Sequence, residues 1–480
     1  MKMNHEIIKY AKENGLILTE DSLKHLSKDN YKEIILLLKE KDLLFVSEQD
    51  ILKLKSKKEE RKEYSKNFHI LEKYDITGKN FSQGSIEDFH KLFLDKYEKL
   101  SKIINLRTNF EHTTIENTKN LVKGKPIDII GMVNSKKISQ NGNLVLNVDD
   151  PTGQTNLVII KKDEKEFLKH KEILHDNVLG FKATVLSKDM LVVNEVIYPD
   201  IPFEKRNISL KENMFIGVIG DVHVGSKKFK EKEFLKFIEW INGSYDKDKE
   251  TVSKIKYLFI VGDLVDGVGV YPKQFDELAI TDIYKQYELF EEYILKIRKD
   301  IDIFIISGNH DAVRLSDPQP AISENYLPRL SKEENIHILG SPSWVIVEGY
   351  KILLYHGASF HGIYTEIKNA KMDRPDTAML EVLKRRDLMP QFGHRQTFVP
   401  IEKNLMIIEE VPDIFITGDV HHHAYSIYKN VHMICSSCWQ DMTDFQKELG
   451  HIPTVSKLLL FNLKTEEMLI KDFLEKEVLI

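Results

Sequence analysis

Asp221 and His223, a carboxylate and an imidazole two residues apart, follow a short apolar run, Phe215 to Ile219, that closes on Gly220. The β-branched run reads as a buried strand, and the glycine as the point where the backbone turns away from its sheet. In extended backbone, residues two apart face the same side, so the pair is expected to converge on one cation. An isolated Asp-x-His is more often a turn or capping residue with a chance histidine. Four more segments repeat the order of apolar strand, glycine and metal-competent side chain: Tyr257 to Asp263, Ile303 to Asp311, Ile352 to Gly357, and Asp413 to His421. Five strands are thus expected to deliver their ligands to one edge of an open α/β sheet, where loops carry function on a rigid frame.

A carboxylate can bridge two cations with its two oxygens, and Asp263, at the end of its strand, is the candidate bridge. Asp221 and His223 then serve one cation, Asn309 serves the other through its amide oxygen, and His356, Asp419 and His421 close the shells. Mixed oxygen and imidazole ligation suits a pair of Mn²⁺ ions, with Mg²⁺, Zn²⁺ and Fe²⁺ as the other divalent candidates. Two cations about 3.5–4 Å apart can hold a phosphodiester, acidify a bound water and stabilise the departing oxygen, so the expected chemistry is phosphate-ester hydrolysis. His310, beside Asn309, is the expected general acid, because an imidazole holds a proton near neutral pH. Asp266 and Asp311 read as turn or capping residues, His361 and His422 as surface histidines. His423 is an alternative ligand, since His421 and His423 also share a side in extended backbone, while Gly418 favours Asp419 with His421.

These side chains need a frame, and the 480 residues allow two to four domains of roughly 100–200 residues each. The fold expected is multi-domain: a small α-helical module, a β-barrel, then a layered α/β domain. Residues 1–52 carry helical stripes (Ile7, Ile8 and Ala11; Tyr31 to Leu38), with Thr19 and Ser47 as N-caps, and no catalytic signature, which suits a docking module. Residues 53–84 open on a nearly all-charged run and are expected to be a solvated linker. Residues 85–122 form a helical lead-in: Ser85 and Asp88 make a capping-box pair, and Phe89, Leu92, Phe93, Tyr97 and Leu100 recur at helical spacing as core. Over 123–203 the period changes to two, giving strands at 127–133, 144–148, 157–160, 179–185 and 191–196, with a polar helix at 163–171 between the third and fourth. That is the plan of an OB-fold, which serves oligonucleotides in many proteins and can equally serve as a protein-docking barrel. Residues 204–480 alternate strand and helix and contain every candidate ligand.

Lys and Arg number 69 against 75 Asp and Glu, a formal charge of −6, so any phosphate-binding surface must be local rather than global. The two cysteines, Cys435 and Cys438, make one Cys-x-x-Cys with no second pair, and Val431 to Cys435 looks like strand, so the pair reads as structural. No apolar run approaches the roughly 20 residues that span a bilayer, and the first residues carry an acid and no apolar stretch. No membrane role and a cytoplasmic location are expected.

At these motifs the chain resembles the calcineurin-like metallophosphoesterases. More narrowly, the barrel followed by this domain, with Gly262 to Gln274, Leu383 to Arg386 and Val411 to Ile414, resembles the small subunits of archaeal family D DNA polymerases from roughly residue 85 to the end. The resemblance implies a 3′→5′ proofreading exonuclease with a Mn²⁺-preferring dinuclear site. As partners it implies the large catalytic subunit, the single-stranded or mismatched 3′ end of a DNA primer, and the sliding clamp. It also implies kinship with polymerase B-subunits that have lost the ligands. The family's last motif runs Gly-His-x-His, whereas here it is Gly418-Asp419-Val-His421, a substitution that changes the charge of the site. The alternatives are a scaffold subunit with a vestigial site and a free-standing phosphoesterase or repair nuclease.

Overall fold

The computed structural model describes residues 2–26, 31–39, 45–51, 67–79, 81–108, 110–204, 206, 208–393, 396–448 and 450–474, and the chain divides into two compact units, 1–66 and 67–480. In the first unit, helices Lys2–Glu13 and Tyr31–Lys39 and a parallel pair of two-residue strands, β1 (Ile17–Leu18) and β2 (Phe45–Val46), enclose Ile7, Ala11, Ile34, Ile35 and Leu38. Thr19 accepts a hydrogen bond from the Ser22 N–H at 3.3 Å, and Ser47 exchanges bonds with Asp50, so both expected caps form. The linker expected over 53–66 lies outside the described residues. Its continuation is not linker: β3 (Phe68–Ile70) pairs antiparallel with Phe68 opposite Val347 and Ile70 opposite Val345. Three residues are too few to show a period, and only the waiting edge of a sheet makes them a strand.

Five strands, β4 (Pro126–Ile138), β5 (Leu144–Asp150), β6 (Gly153–Ile159), β7 (Val178–Ser187) and β8 (Met190–Ile197), close into a barrel in the order β4-β5-β6-β8-β7. Alternate residues Leu144, Leu146 and Val148 point inward onto Leu157, Phe181 and Leu191, the period of two that a half-buried strand imposes. Helix Glu164–Lys171, capped by Asp163, stands between β6 and β7 as expected.

The remaining strands form two sheets rather than the single one expected. One runs in the order β12 (Ile336–Leu339), β11 (Asp302–Ile306), β10 (Ile255–Val261), β9 (Phe215–Ile219), β18 (Lys457–Asn462), β19 (Met468–Asp472). The other runs β16 (Ala424–Tyr428), β17 (Val431–Cys435), β15 (Ile414–Thr417), β14 (Tyr350–Leu354), β13 (Ser343–Val347), β3. Their inner faces meet in one core: Ile216, Val218, Phe259 and Phe304 pack with Val345, Ile352, Ile414 and Ile434. Helices Glu231–Ile241 and Ile283–Ile294 cover the outer face of the first sheet, and helices Phe360–Glu366 and Asp376–Arg385 that of the second. Both faces of β9 and β11 are therefore buried along their whole length, which is why these strands read as unbroken apolar runs. Cys435 lies in β17, and both cysteines are free and buried. Among the described residues no helix is long and apolar enough to cross a membrane.

Helix Ile86–Thr108 joins the barrel to these sheets. Ser85 and Asp88 bond reciprocally at its start. Ile104 packs with Ile130 and Val178 of the barrel, while Phe89 and Phe93 meet Phe392 at ring separations of 5.4 and 5.8 Å. Leu92 and Leu100 are core as their spacing implied, whereas Phe89, Phe93 and Tyr97, also expected there, are only half-buried, because Phe392, against which the two phenylalanines pack, is itself 44% exposed. Lys96, on the same face, is 1% exposed and pairs with Asp387 at 2.7 Å.

Candidate metal centre

The carboxyl ends of β9, β10 and β11 in one sheet and of β14 and β15 in the other open onto one spot between the two sheets. Loops from two facing sheets thus contribute to what a single edge was expected to hold. Asp221, His223, Asp263, His356 and His421 are buried there, and Asp419 is partly buried with its side chain 5% exposed.

The backbone that presents them is not extended. Asp221, His223, Asp263, Asp419 and His421 have φ between 50° and 71°, the left-handed region, in which Asp and His are enriched among non-glycine residues. The i,i+2 pairs converge through left-handed turns just past the strand ends. Each such residue costs about 1–3 kcal/mol and is held by its surroundings, as is common at functional sites. Here the Asp221 N–H donates to the Gly262 carbonyl at 3.0 Å and the His223 N–H to that of Asp263 at 3.1 Å.

Hydrogen bonds fix which imidazole nitrogen faces the centre. His223 Nδ1 lies 3.1 Å from Asp266 Oδ1 and His356 Nδ1 2.8 Å from the Val261 carbonyl, so each ring presents Nε2. His223 Nε2 is 2.9 Å from His421 Nε2, and His421 Nε2 is 3.7 Å from Asp221 Oδ1. On the other side His356 Nε2 is 2.8 Å from Asn309 Oδ1 and 3.8 Å from Asp419 Oδ1. Asp263 Oδ2 lies between the two groups, 3.7 Å from His223 Nε2 and 3.4 Å from His356 Nε2. Three donor sets have their ligand atoms mutually within 4.8 Å: Asp221, His223 and His421; Asp221, Asp263 and His356; His223, Asp263 and His310. The structure therefore brings together all eight residues singled out in the sequence. It leaves His423 out, with its Nδ1 on Thr454 at 3.0 Å.

Charge in the cluster is unevenly shared. Burial, with Asp263 and Asp419 nearby, pushes the Asp221 carboxyl well above the carboxylate range although His356 opposes it. At Asp263 burial is outweighed by His356, His310 and His223, which hold its carboxyl down. His356 is raised well above the ordinary imidazole value, as Asp263, Asp221 and Asp419 outweigh its burial. Burial and the neighbouring His223 push His421 well down. Buried carboxylates that repel one another, and two imidazole nitrogens 2.9 Å apart, form a donor set that shared divalent cations relieve. The residues fit such ions.

Several supporting residues escaped the sequence reading. Asp266 is more than a turn residue: fully buried, it orients His223, its carbonyl takes the His310 Nδ1 bond at 2.8 Å, and Gln274 and Gln440 hold its carboxylate. Its place in Gly-Asp-x-x-Asp was the available signal. Asp311 does cap its turn, accepting from the Gly308 N–H at 2.9 Å, and burial with Asp263 nearby pushes its carboxyl up to about 7. Neither histidine expected at the surface is simply superficial: His422 packs on His451 with ring centres 4.6 Å apart, and His361 reaches Asp419. Gln446 lies 2.8 Å from His421 Nδ1.

The loops are drawn together by glycine. A Cβ on Gly308 would overlap Asp263 Oδ1 and its backbone nitrogen and come within 2.9 Å of His356 Cε1, and one on Gly262, at φ 86°, would overlap the His356 ring. Gly308→Ala, which changes no ligand, is expected to weaken Mn²⁺ binding by about 10–100-fold, as loss of a group that orients a metal ligand does. Titration calorimetry checks it, and unchanged affinity would show that Asp263 is free to move aside.

Comparison with known proteins gives a consistent set of relatives. The family described as the B-subunits of DNA polymerases alpha and epsilon matches residues 216–426. The DNA polymerase II small subunit of Thermoplasma acidophilum is 35% identical over 470 residues, 97% of this chain and 92% of that one. The protein of the same name from Archaeoglobus fulgidus is 38% identical over 390 residues, 81% of this chain and 77% of that one. That from Methanocaldococcus jannaschii is 37% identical over 397 residues, 82% of this chain and 66% of that one.

Proposed function

The chain belongs to the family of DNA polymerase II small subunits, and from that premise we propose that its buried cluster is a dinuclear metal site that hydrolyses DNA phosphodiesters from the 3′ end. The observation that carries the reading is the position of Asp263 Oδ2, within 3.7 Å of His223 Nε2 and 3.4 Å of His356 Nε2, between two donor groups. Asp221, His223 and His421 would hold one cation, Asn309, His356 and Asp419 the other, with Asp263 placed to serve both. Two divalent cations, Mn²⁺ first among them, supply when bound an acidified water and neutralisation of the phosphate charge.

The chain's own residues supply the proton and the alignment. His310 Nδ1 donates to the Asp266 carbonyl at 2.8 Å, so the proton available to a leaving 3′ oxygen is the one on Nε2. Its backbone N–H donates to Asp263 Oδ1 at 2.8 Å, which ties the acid to the bridging carboxylate. The first unit, the barrel and helix Ile86–Thr108 are the docking elements for a large catalytic subunit, which performs synthesis, while this chain removes mismatched primer ends.

The test is digestion of a 5′-labelled single strand and of a primer with a mismatched 3′ end in Mn²⁺. A ladder of products shortened from the 3′ end is expected. His310→Asn should slow its appearance by about 100-fold with the metal content unchanged. Intact DNA alongside hydrolysis of small phosphate esters would overturn the reading.

A further inference from the structure

We propose that His361 is a positioning residue for the second cation subsite, fixing through Asp419 which carboxylate oxygen that subsite receives. The inference rests on the dinuclear reading. His361 Nε2 lies 3.1 Å from Asp419 Oδ2, while the other oxygen, Oδ1, faces His356 Nε2 at 3.8 Å. The Asp419 backbone is held as well: its N–H donates to Asp221 Oδ1 at 3.0 Å, and its φ is 71°.

A carboxylate can turn about its last torsion and offer one oxygen or two. An imidazole nitrogen 3.1 Å from Oδ2 limits that freedom and leaves Oδ1 as the oxygen that faces His356. His361 is itself steadied, its ring meeting that of Tyr364, in the same helix, edge-on at 85° with centres 6.4 Å apart. Metal-site histidines commonly bind the ion through one nitrogen and give the other N–H to a carboxylate. Here the order is inverted: the carboxylate faces the subsite and the imidazole stands behind it. Asp419 with His361 thus provides one donor oxygen and one ion-pair contact behind it, the two roles that a single histidine at position 419 would divide between its two nitrogens. The His361 side chain is 29% exposed and that of Asp419 5%.

The experiment is Mn²⁺ titration calorimetry on the full chain, resolving the two binding steps, in the wild type, His361→Ala, Asp419→His and the reciprocal exchange His361→Asp/Asp419→His. His361→Ala is expected to weaken the second step by about 10–100-fold and leave the first unchanged, the first step reporting that the protein is folded. Asp419→His alone sets an imidazole against an imidazole and should also weaken the second step. The exchange should bind the second ion more tightly than either single variant. Wild-type affinity in both steps for His361→Ala, or an exchange no better than Asp419→His, overturns the positioning role while leaving the dinuclear reading intact. A wild type that takes up fewer than two ions overturns both.

Discussion

Asp263→Asn is expected to lower the rate of DNA hydrolysis by at least about 10³-fold, the upper range for loss of a single charge-stabilising group at a reacting centre, while the protein stays folded. The amide keeps the shape of the side chain and an oxygen to accept the His310 N–H, which donates to Asp263 Oδ1 at 2.8 Å. It loses the charge that His356, His310 and His223 hold in place and the second anionic oxygen that a bridge requires. The effect should fall on both cations at once, unlike that of Asp419, which faces only the His356 side. Single-turnover digestion with the circular dichroism spectrum as control measures it. A folded Asp263→Asn protein digesting DNA at the wild-type rate would remove the bridging role.

The largest stability change is expected far from the chemistry, at Lys96→Ala. Lys96 and Asp387 are 1% and 2% exposed and 2.7 Å apart, and the lysine also donates to the Pro390 carbonyl at 3.3 Å. Truncating one partner leaves the other charge buried and alone, a loss of about 3–5 kcal/mol, whereas replacing both with apolar residues of similar volume is often neutral or stabilising. Lys96→Ala should therefore shift the urea midpoint strongly, and Lys96→Met/Asp387→Leu should restore it. Because helix Ile86–Thr108 touches the barrel through Ile104 and the loop at Phe392 through Phe89 and Phe93, the loss should loosen the two against each other. Equal destabilisation by the single and double changes would show that packing, not charge, matters at this contact.

The segments that carry the ligands were legible in the sequence because each couples a fully buried strand to a glycine and a polar side chain within a few residues. The barrel was legible for a similar reason: one face in and one out gives β5 and β7 a period of two, and the expected 144–148 and 179–185 sit inside the observed Leu144–Asp150 and Val178–Ser187. What local pattern does not encode is assignment over distance. Nothing in Ile352 to Leu354 says that this strand belongs to a different sheet from Ile303 to Ile306, since both are apolar runs buried on two faces. The left-handed turns at Asp221 and Asp419 are invisible for the same reason, as the surrounding contacts impose them on residues that favour other conformations alone. Lys96 reads as the solvated side of a helix until Asp387, far along the chain, is placed against it. His361 reads as superficial until Asp419 is brought beneath it. The substitution at 419 was visible as a change of charge, but its partner was not.

The central claim, two cations shared through Asp263, is tested most directly by the Mn²⁺ content of the purified chain after equilibrium dialysis, measured by plasma mass spectrometry. Two ions per wild-type chain, falling to one or none in Asp263→Asn, is the predicted result. A wild-type chain holding one ion or none, or an Asp263→Asn chain that keeps both, would contradict it.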